Sequence, residues 1–101
     1  MGEVRWTEEA LSWLEKIFFY IAQDKPLTAE KVVDGIYEKA KLLRQYPDLG
    51  YFYRSVDEGD VRILLYGHYR IAYLRRNDSR MIDILGVIHG AMEIDRFFQG
   101  Y

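Results

Sequence analysis

Residues 61–75 read VRILLYGHYRIAYLR, two runs rich in β-branched and aromatic residues on either side of Gly67-His68. Such runs around a glycine-containing turn predict a β-hairpin. A second turn is expected at Asn77, and residues 81–89 are mostly β-branched or aliphatic, which predicts a third strand. The second half of the chain therefore predicts a meander of three strands.

The first half of the chain predicts two amphipathic helices after a short strand at residues 3–6. Thr7 can cap the first helix, whose apolar residues recur at the spacing of one helix face. These residues are Leu11, Leu14, Ile17, Phe18 and Ile21. Thr28 can cap a second helix, which Pro47 ends. Its inner face comprises Ala29, Val32, Val33, Ile36, Ala40 and Leu43.

The remaining segments complete the expected architecture. Residues 48–60 are expected to form a loop, and residues 92–98 a short terminal helix. The predicted order is β-α-α-β-β-β, within a single domain covering residues 1–101. Helices grouped before a meander indicate an α+β fold, with a helical hairpin packed on a mainly antiparallel sheet.

Composition narrows the class of protein. Of the 101 residues, 50% are hydrophobic and 16% are aromatic, enough for one core. The chain contains no cysteine and two histidines, so we expect no disulfide, no metal and no cofactor. The longest apolar run is residues 17–22, and residues 1–4 lack a signal segment. We therefore expect a cytoplasmic protein that does not enter a membrane.

Charge is unevenly distributed along the chain. The net charge is −2, which argues against a protein that grips DNA or RNA unaided, so no direct DNA binding is expected for the chain alone. Residues 51–101 nevertheless contain seven arginines and no lysine. Arginine is favoured where planar contacts with several donors matter.

A candidate site depends on the length of the turn between the hairpin strands. With a three-residue turn, Arg62, Arg70 and His89 lie on one side of the sheet, where they can bind phosphate or act on RNA. With a two-residue turn the grouping breaks. The sequence does not choose between the two.

Simpler roles compete with catalysis for the same residues. His89 at a strand end fits a hydrogen-bonded structural group. Arg62 or Arg70 can pair with Asp60, Asp83 or another carboxylate, and a paired Arg70 matters more to structure than to chemistry.

Four segments resemble the RelE/ParE toxin superfamily, whose members are often described as plasmid-stabilisation proteins. Residues 10–22 have the form A-L-x-W-L-x-x-I-x-x-Y-I-A, and residues 42–50 end in the family's L-x-x-x-P-x-x-G. Residues 61–73 contain Val-Arg and then Tyr-Arg-Ile-Ala-Tyr, and residues 82–91 resemble a strand that ends in V-x-H-G-A-R. The order and spacing of the segments carry the resemblance over nearly the whole chain.

The resemblance implies one of two activities, each silenced by a cognate antitoxin. RelE-like members cut messenger RNA in the ribosomal A site with strand lysines and arginines and a terminal aromatic residue or histidine. ParE-like members poison DNA gyrase and have no accepted catalytic set. The lysine positions of the nuclease pattern fall here on Val61 and Ile63, whereas Arg70 matches its arginine. Met92 stands where ParE-like sequences often have arginine.

We therefore favour the ParE-like branch. The expected protein is the toxin of a type II toxin–antitoxin system that inhibits DNA gyrase by binding, with no catalytic residues. The alternative is a ribosome-dependent messenger RNA endonuclease that uses Arg62, Arg70 and His89. A third possibility is a degenerate toxin that only binds its antitoxin.

Overall fold

The frame of the molecule is a mixed β-sheet. Within residues 2–90 and 97–98, which the computed structural model describes, five strands form this sheet. They are β1 (Glu3–Trp6), β2 (Tyr51–Val56), β3 (Gly59–Tyr66), β4 (Tyr69–Arg76) and β5 (Met81–His89). The spatial order is β1-β5-β4-β3-β2. β1 runs parallel to β5, and every other neighbouring pair is antiparallel.

Helices α1 (Glu8–Ala22) and α2 (Pro26–Lys41) connect β1 to β2, and a 3-10 turn at Leu42–Arg44 extends α2. Thr7 caps α1 as predicted, because its Oγ1 accepts a hydrogen bond from the Ala10 amide at 3.2 Å. The same hydroxyl donates to the Ile84 carbonyl at 2.6 Å, which joins the start of α1 to β5.

The start of α2 differs from the prediction. Thr28 was expected as its cap, but the helix begins at Pro26, after Lys25. Proline fits this first helical position because its missing amide hydrogen has no partner there in any helix. Thr28 therefore lies inside the first turn.

One side of the sheet, the helix face, packs against α1 and α2. It presents Leu64, Ile71, Tyr73, Ile84 and Val87, all buried. The helices contribute Ala10, Leu14, Ile36, Ala40 and Leu43 to the same core. Two of these residues, Ala10 and Ala40, are alanines, whose small side chains let the helix backbones approach the sheet closely.

The opposite side, the outer face, is also apolar. It presents Val61, Ile63, Ala72, Leu74, Leu85 and Ile88, with Phe98 packed on them. The Tyr53 and Phe98 ring centroids lie 5.0 Å apart. Burial on both faces explains why the β5 sequence is apolar almost without interruption, rather than alternating with polar residues.

The α+β class and the helical hairpin on a mainly antiparallel sheet are confirmed, with one strand more than predicted. The segment expected as a loop, residues 48–60, contains β2, which pairs with β3. A bulge between Phe52 and Arg54 interrupts this pairing. The expected terminal helix lies mostly outside the described residues, which include only Phe97 and Phe98 of it.

Candidate functional site

The three candidate catalytic residues lie apart because the hairpin turn contains two residues. Tyr66 pairs with Tyr69, and Gly67 adopts a left-handed φ of +56° between them. Arg62 is then opposite Tyr73, on the helix face, whereas Arg70 is opposite Leu65, on the outer face. This is the alternative in which the predicted grouping breaks.

His89 shares the helix face with Arg62 but not its position along the strands. His89 is opposite Tyr69, and Arg62 is opposite Tyr73, four residues further along β4. At the rise of an extended strand, this offset is about 13 Å. The arrangement therefore does not assemble Arg62, Arg70 and His89 around a single substrate atom.

Arg62 forms hydrogen bonds with the main chain of the segment between α2 and β2. Its Nε donates to the Gly50 carbonyl at 2.9 Å, and its Nη2 donates to the Asp48 carbonyl at 3.3 Å. The Tyr73 hydroxyl donates to the Pro47 carbonyl at 2.7 Å and accepts from the Gly50 amide at 3.0 Å. The guanidinium thus meets main-chain carbonyls rather than the predicted carboxylate.

Asp83 pairs with residues other than those predicted. It is 3% exposed, and its Oδ1 lies 2.8 Å from Arg5 Nε. Its Oδ2 accepts from Arg76 Nε at 2.9 Å. The hydrogen bond from Arg5 raises the pKa of that guanidinium, because the carboxylate stabilises its charged form. The prediction that Arg62 or Arg70 pairs with Asp83 is therefore wrong.

Arg70 is half-buried on the outer face. Among the described residues, no carboxylate lies within ion-pairing distance of it. The predicted structural ion pair of Arg70 is thus not found in this part of the chain.

His89 borders an apolar groove between α1 and the end of β5. The groove has a volume of about 430 Å³ and is lined by Trp13, Lys16, Ile17, Tyr20, Tyr69, Val87 and His89. The His89 ring lies 5.4 Å from Tyr69, edge to face, and 6.4 Å from the His68 ring. Lys16 Nζ sits 4.9 Å from the Trp13 ring centroid, a cation–π distance. We call this feature the His89 groove.

Burial raises the pKa of the Tyr69 phenol, which carries its proton at neutral pH even without that shift and can donate a hydrogen bond. Tyr20, by contrast, is 78% exposed at the rim of the His89 groove. The groove therefore offers a mostly apolar surface with a few polar tips, which suits an amphipathic protein segment.

A second depression lies at the other end of β4. It has a volume of about 290 Å³, and its lining includes Arg44, Arg75, Arg76, Ser79 and Arg80. We call it the arginine pocket. Sequence reasoning missed it because its residues come from three separate segments, although the arginine excess after residue 50 was a signal.

The described residues contain neither a helix suited to crossing a membrane nor a cluster of metal ligands. None of the helices there combines the length and apolar character that crossing a membrane requires. No group of three or more potential metal ligands occurs in the same part of the chain.

Comparison with known proteins assigns this fold to a family. The sequence model for the ParE toxin of type II toxin–antitoxin systems, parDE, matches residues 4–94. The chain therefore belongs to the ParE toxin family. The resemblance to the RelE/ParE superfamily inferred from the sequence is confirmed. A search of curated proteins found no significant match.

Solved structures agree with this assignment. A chain of the chromosomal ParDE system from P. aeruginosa is 26% identical, with a TM-score of 0.71 over 88% of this chain and 96% of that one. A chain of the RelBE2 toxin–antitoxin complex from Mycobacterium tuberculosis is 24% identical, with a TM-score of 0.65. That match covers 87% of this chain and 96% of the other, and at this identity it shows the fold alone.

Proposed function

We propose that this chain is a toxin that inhibits DNA gyrase by binding and that a cognate antitoxin silences it. The single observation that carries the proposal is the dispersal of the candidate catalytic residues. Arg70 is on the outer face, whereas Arg62 and His89 are far apart on the helix face.

The outer face supports binding rather than RNA cleavage. Val61 and Ile63, which stand at the lysine positions of the nuclease pattern, are both 0% exposed. They belong to the apolar core that includes Phe98. A cleavage reaction needs a base and cations placed where charge develops. Among the described residues, this face carries Arg70 and also Arg54, but not His89. The Arg54 guanidinium lies over the Tyr53 and Phe98 rings, 4.9 Å and 5.8 Å from their centroids.

Net charge supports the same proposal. A nuclease that docks on ribosomal RNA benefits from a strongly positive surface. This chain carries a net charge of −2. A protein target such as gyrase makes no such demand.

The His89 groove supports the antitoxin part of the proposal. Its lining is mainly apolar, with Trp13, Ile17 and Val87 among its walls. β1 pairs only with residues 81–84 of β5, so among the described residues no strand covers the outer edge of residues 85–89. An antitoxin tail can therefore place an apolar helix in the groove or add a strand at this edge.

One observation favours the second candidate, a ribosome-dependent endonuclease. The imidazole of His89 shares its groove with the Lys16 ammonium and the Tyr69 phenol. These groups are able to transfer protons and to stabilise negative charge. Lys16 belongs to α1, and Tyr69 and His89 stand at strand ends. Lys16 and Tyr69 are not among the residues that the nuclease pattern predicts.

Gyrase inhibition is tested with purified chain in a DNA supercoiling assay. We expect inhibition that disappears when the cognate antitoxin is added in equimolar amount. Co-expression of the two proteins should yield one complex. A chain that is purified alone, leaves supercoiling unchanged and does not harm cells would overturn the proposal.

A further inference from the structure

The arginine pocket is separate from the His89 groove. Arg75 and Arg76 end β4, whereas Tyr69, beside His89, begins it. Seven residues of extended strand separate the two ends, about 24 Å. A single phosphate group bound in the arginine pocket therefore does not contact the His89 groove.

Main-chain hydrogen bonds hold the pocket together. The Gly2 amide donates to the Arg44 carbonyl at 2.8 Å, and the Glu3 amide donates to the Arg80 carbonyl at 3.1 Å. The start of β1 thus joins the turn after α2 to the turn before β5. These bonds fix the main-chain positions of Arg44 and Arg80 on either side of β1.

Positive charge exceeds negative charge around the pocket. Arg76 and Arg5 share Asp83, and Arg75 Nε lies 2.8 Å from Asp48 Oδ1. That last contact lacks the alignment of a hydrogen bond, since Arg75 Nε has no hydrogen-bond partner among the described residues. The residues that line the arginine pocket include four cations, Arg44, Arg75, Arg76 and Arg80, and no carboxylate.

Arg44 and Arg80 account for the excess. In the described part of the chain, neither has a carboxylate within 4.0 Å. Like charges gathered without counterions repel one another, so this placement is unfavourable unless an anion offsets it.

The donors of the pocket suit a phosphate group. Arginine only donates hydrogen bonds, and the Ser79 hydroxyl accepts from the Met81 amide at 3.2 Å, which leaves its own hydrogen to donate. The four arginines come from three segments of the chain and line one depression. A planar carboxylate is satisfied by a single bidentate arginine, whereas a tetrahedral phosphate has oxygens directed toward several donors.

We infer that the arginine pocket binds a phosphate group, supplied either by a nucleic-acid backbone or by a small phosphate compound. One or two neutralised phosphates give weak binding, which agrees with the net charge of −2. The inference stands without the gyrase proposal, although DNA held by gyrase is a natural source of the phosphate.

The test is a titration of the full chain, followed by NMR of the arginine Nε–H signals. Inorganic phosphate should produce saturable shifts at Arg44, Arg75, Arg76 and Arg80. The double variant Arg44→Gln/Arg80→Gln should bind about tenfold more weakly or worse. Both side chains are exposed, so the variant should fold, and its thermal unfolding checks this.

The matched control is Lys25→Gln/Lys31→Gln, which removes the same charge from exposed positions at the start of α2. It should keep the phosphate affinity of the unmodified chain. No saturable shift, or equal loss in both double variants, would overturn the inference.

Titrations with two more ligands identify the source of the phosphate group. A short DNA duplex that shifts the same signals, with an affinity that falls as salt rises, indicates a nucleic-acid backbone. Shifts with inorganic phosphate but not with the duplex indicate a small phosphate compound. A glutamate-rich peptide that displaces phosphate at lower concentration would show that the pocket binds acidic protein instead, which contradicts the inference. Failure of gyrase inhibition would leave the phosphate titration unaffected.

Discussion

The hydroxyl of Tyr73 in β4 donates a hydrogen bond to the carbonyl of Pro47 at 2.7 Å and thereby ties the sheet to the segment that follows α2. The same oxygen accepts from the buried Gly50 amide. This segment leads into β2 and carries Asp48, the carboxylate beside Arg75. One buried phenol thus links the core to the rim of the arginine pocket.

Tyr73→Phe should lower the free energy of unfolding by about 1–3 kcal/mol, because it leaves the Gly50 amide and the Pro47 carbonyl without this partner. Urea unfolding measures the change. Tyr46→Phe is the control, since Tyr46 is 58% exposed and should tolerate the loss of its hydroxyl. Equal urea midpoints for the two variants would show that the hydrogen bonds of the Tyr73 hydroxyl contribute nothing to the free energy of unfolding.

Stability should also fall above about pH 10, where tyrosine in an unfolded chain begins to lose its proton. Burial raises the pKa of Tyr73 and of Tyr69 in the folded chain, so the folded state keeps both protons longer than the unfolded state does. Their contribution is therefore complete below about pH 10 and is lost as pH rises through the raised values.

Urea unfolding at a series of pH values tests this linkage. Tyr73→Phe should show a shallower decline above about pH 10 than the unmodified chain. A decline of the same steepness in both would mean that Tyr73 does not hold its proton more firmly in the folded state.

Asp83→Asn should destabilise the fold by roughly 2 kcal/mol or more, because it removes the counter-charge of Arg76. Asp83 itself is only 3% exposed. The exposure of Arg5 keeps the cost below that of a fully buried pair. The control is Glu38→Gln, which breaks the exposed pair with Lys41 and should change little. Equal shifts of the unfolding temperature in the two variants would contradict the difference expected between the buried Asp83 and the exposed Glu38.

Tyr20→Ala should weaken antitoxin binding without affecting folding, since Tyr20 is 78% exposed at the rim of the His89 groove. We expect a loss of about tenfold or more in affinity, because tyrosine is over-represented among the residues that contribute most of the binding energy of an interface. Leu27→Ala is the matched control, because Leu27 is 74% exposed on α2 and does not line that groove. Calorimetric titration that shows equal affinity for both variants would place the antitoxin elsewhere.

Most of the fold could be predicted from the sequence, because periodicity reports burial directly. The apolar spacing of α1 and the β-rich runs on both sides of Gly67 gave the correct elements. β2 was missed because its aromatic residues follow the Pro47–Gly50 break and read as a loop. Its exposed Tyr51 and Phe52 give no alternation of buried and exposed residues.

The candidate site was less predictable because it depends on register and on long-range placement. Whether Arg62 and Arg70 share a face follows from the backbone of Gly67, and composition does not determine that geometry. The arginine pocket requires Arg44 and Arg80 to meet, and they do so only because the start of β1 binds both turns. No local pattern encodes such a contact.

The most direct test of the central claim, binding rather than catalysis, compares the purified chain with His89→Ala in two assays. These are gyrase supercoiling and ribosome-dependent primer extension on messenger RNA, after thermal unfolding shows that the variant folds. We predict that both proteins inhibit supercoiling to a similar extent and that neither produces codon-specific cuts. Codon-specific cuts by the unmodified chain that fall by about 10²-fold or more in His89→Ala would contradict the account and identify a nuclease.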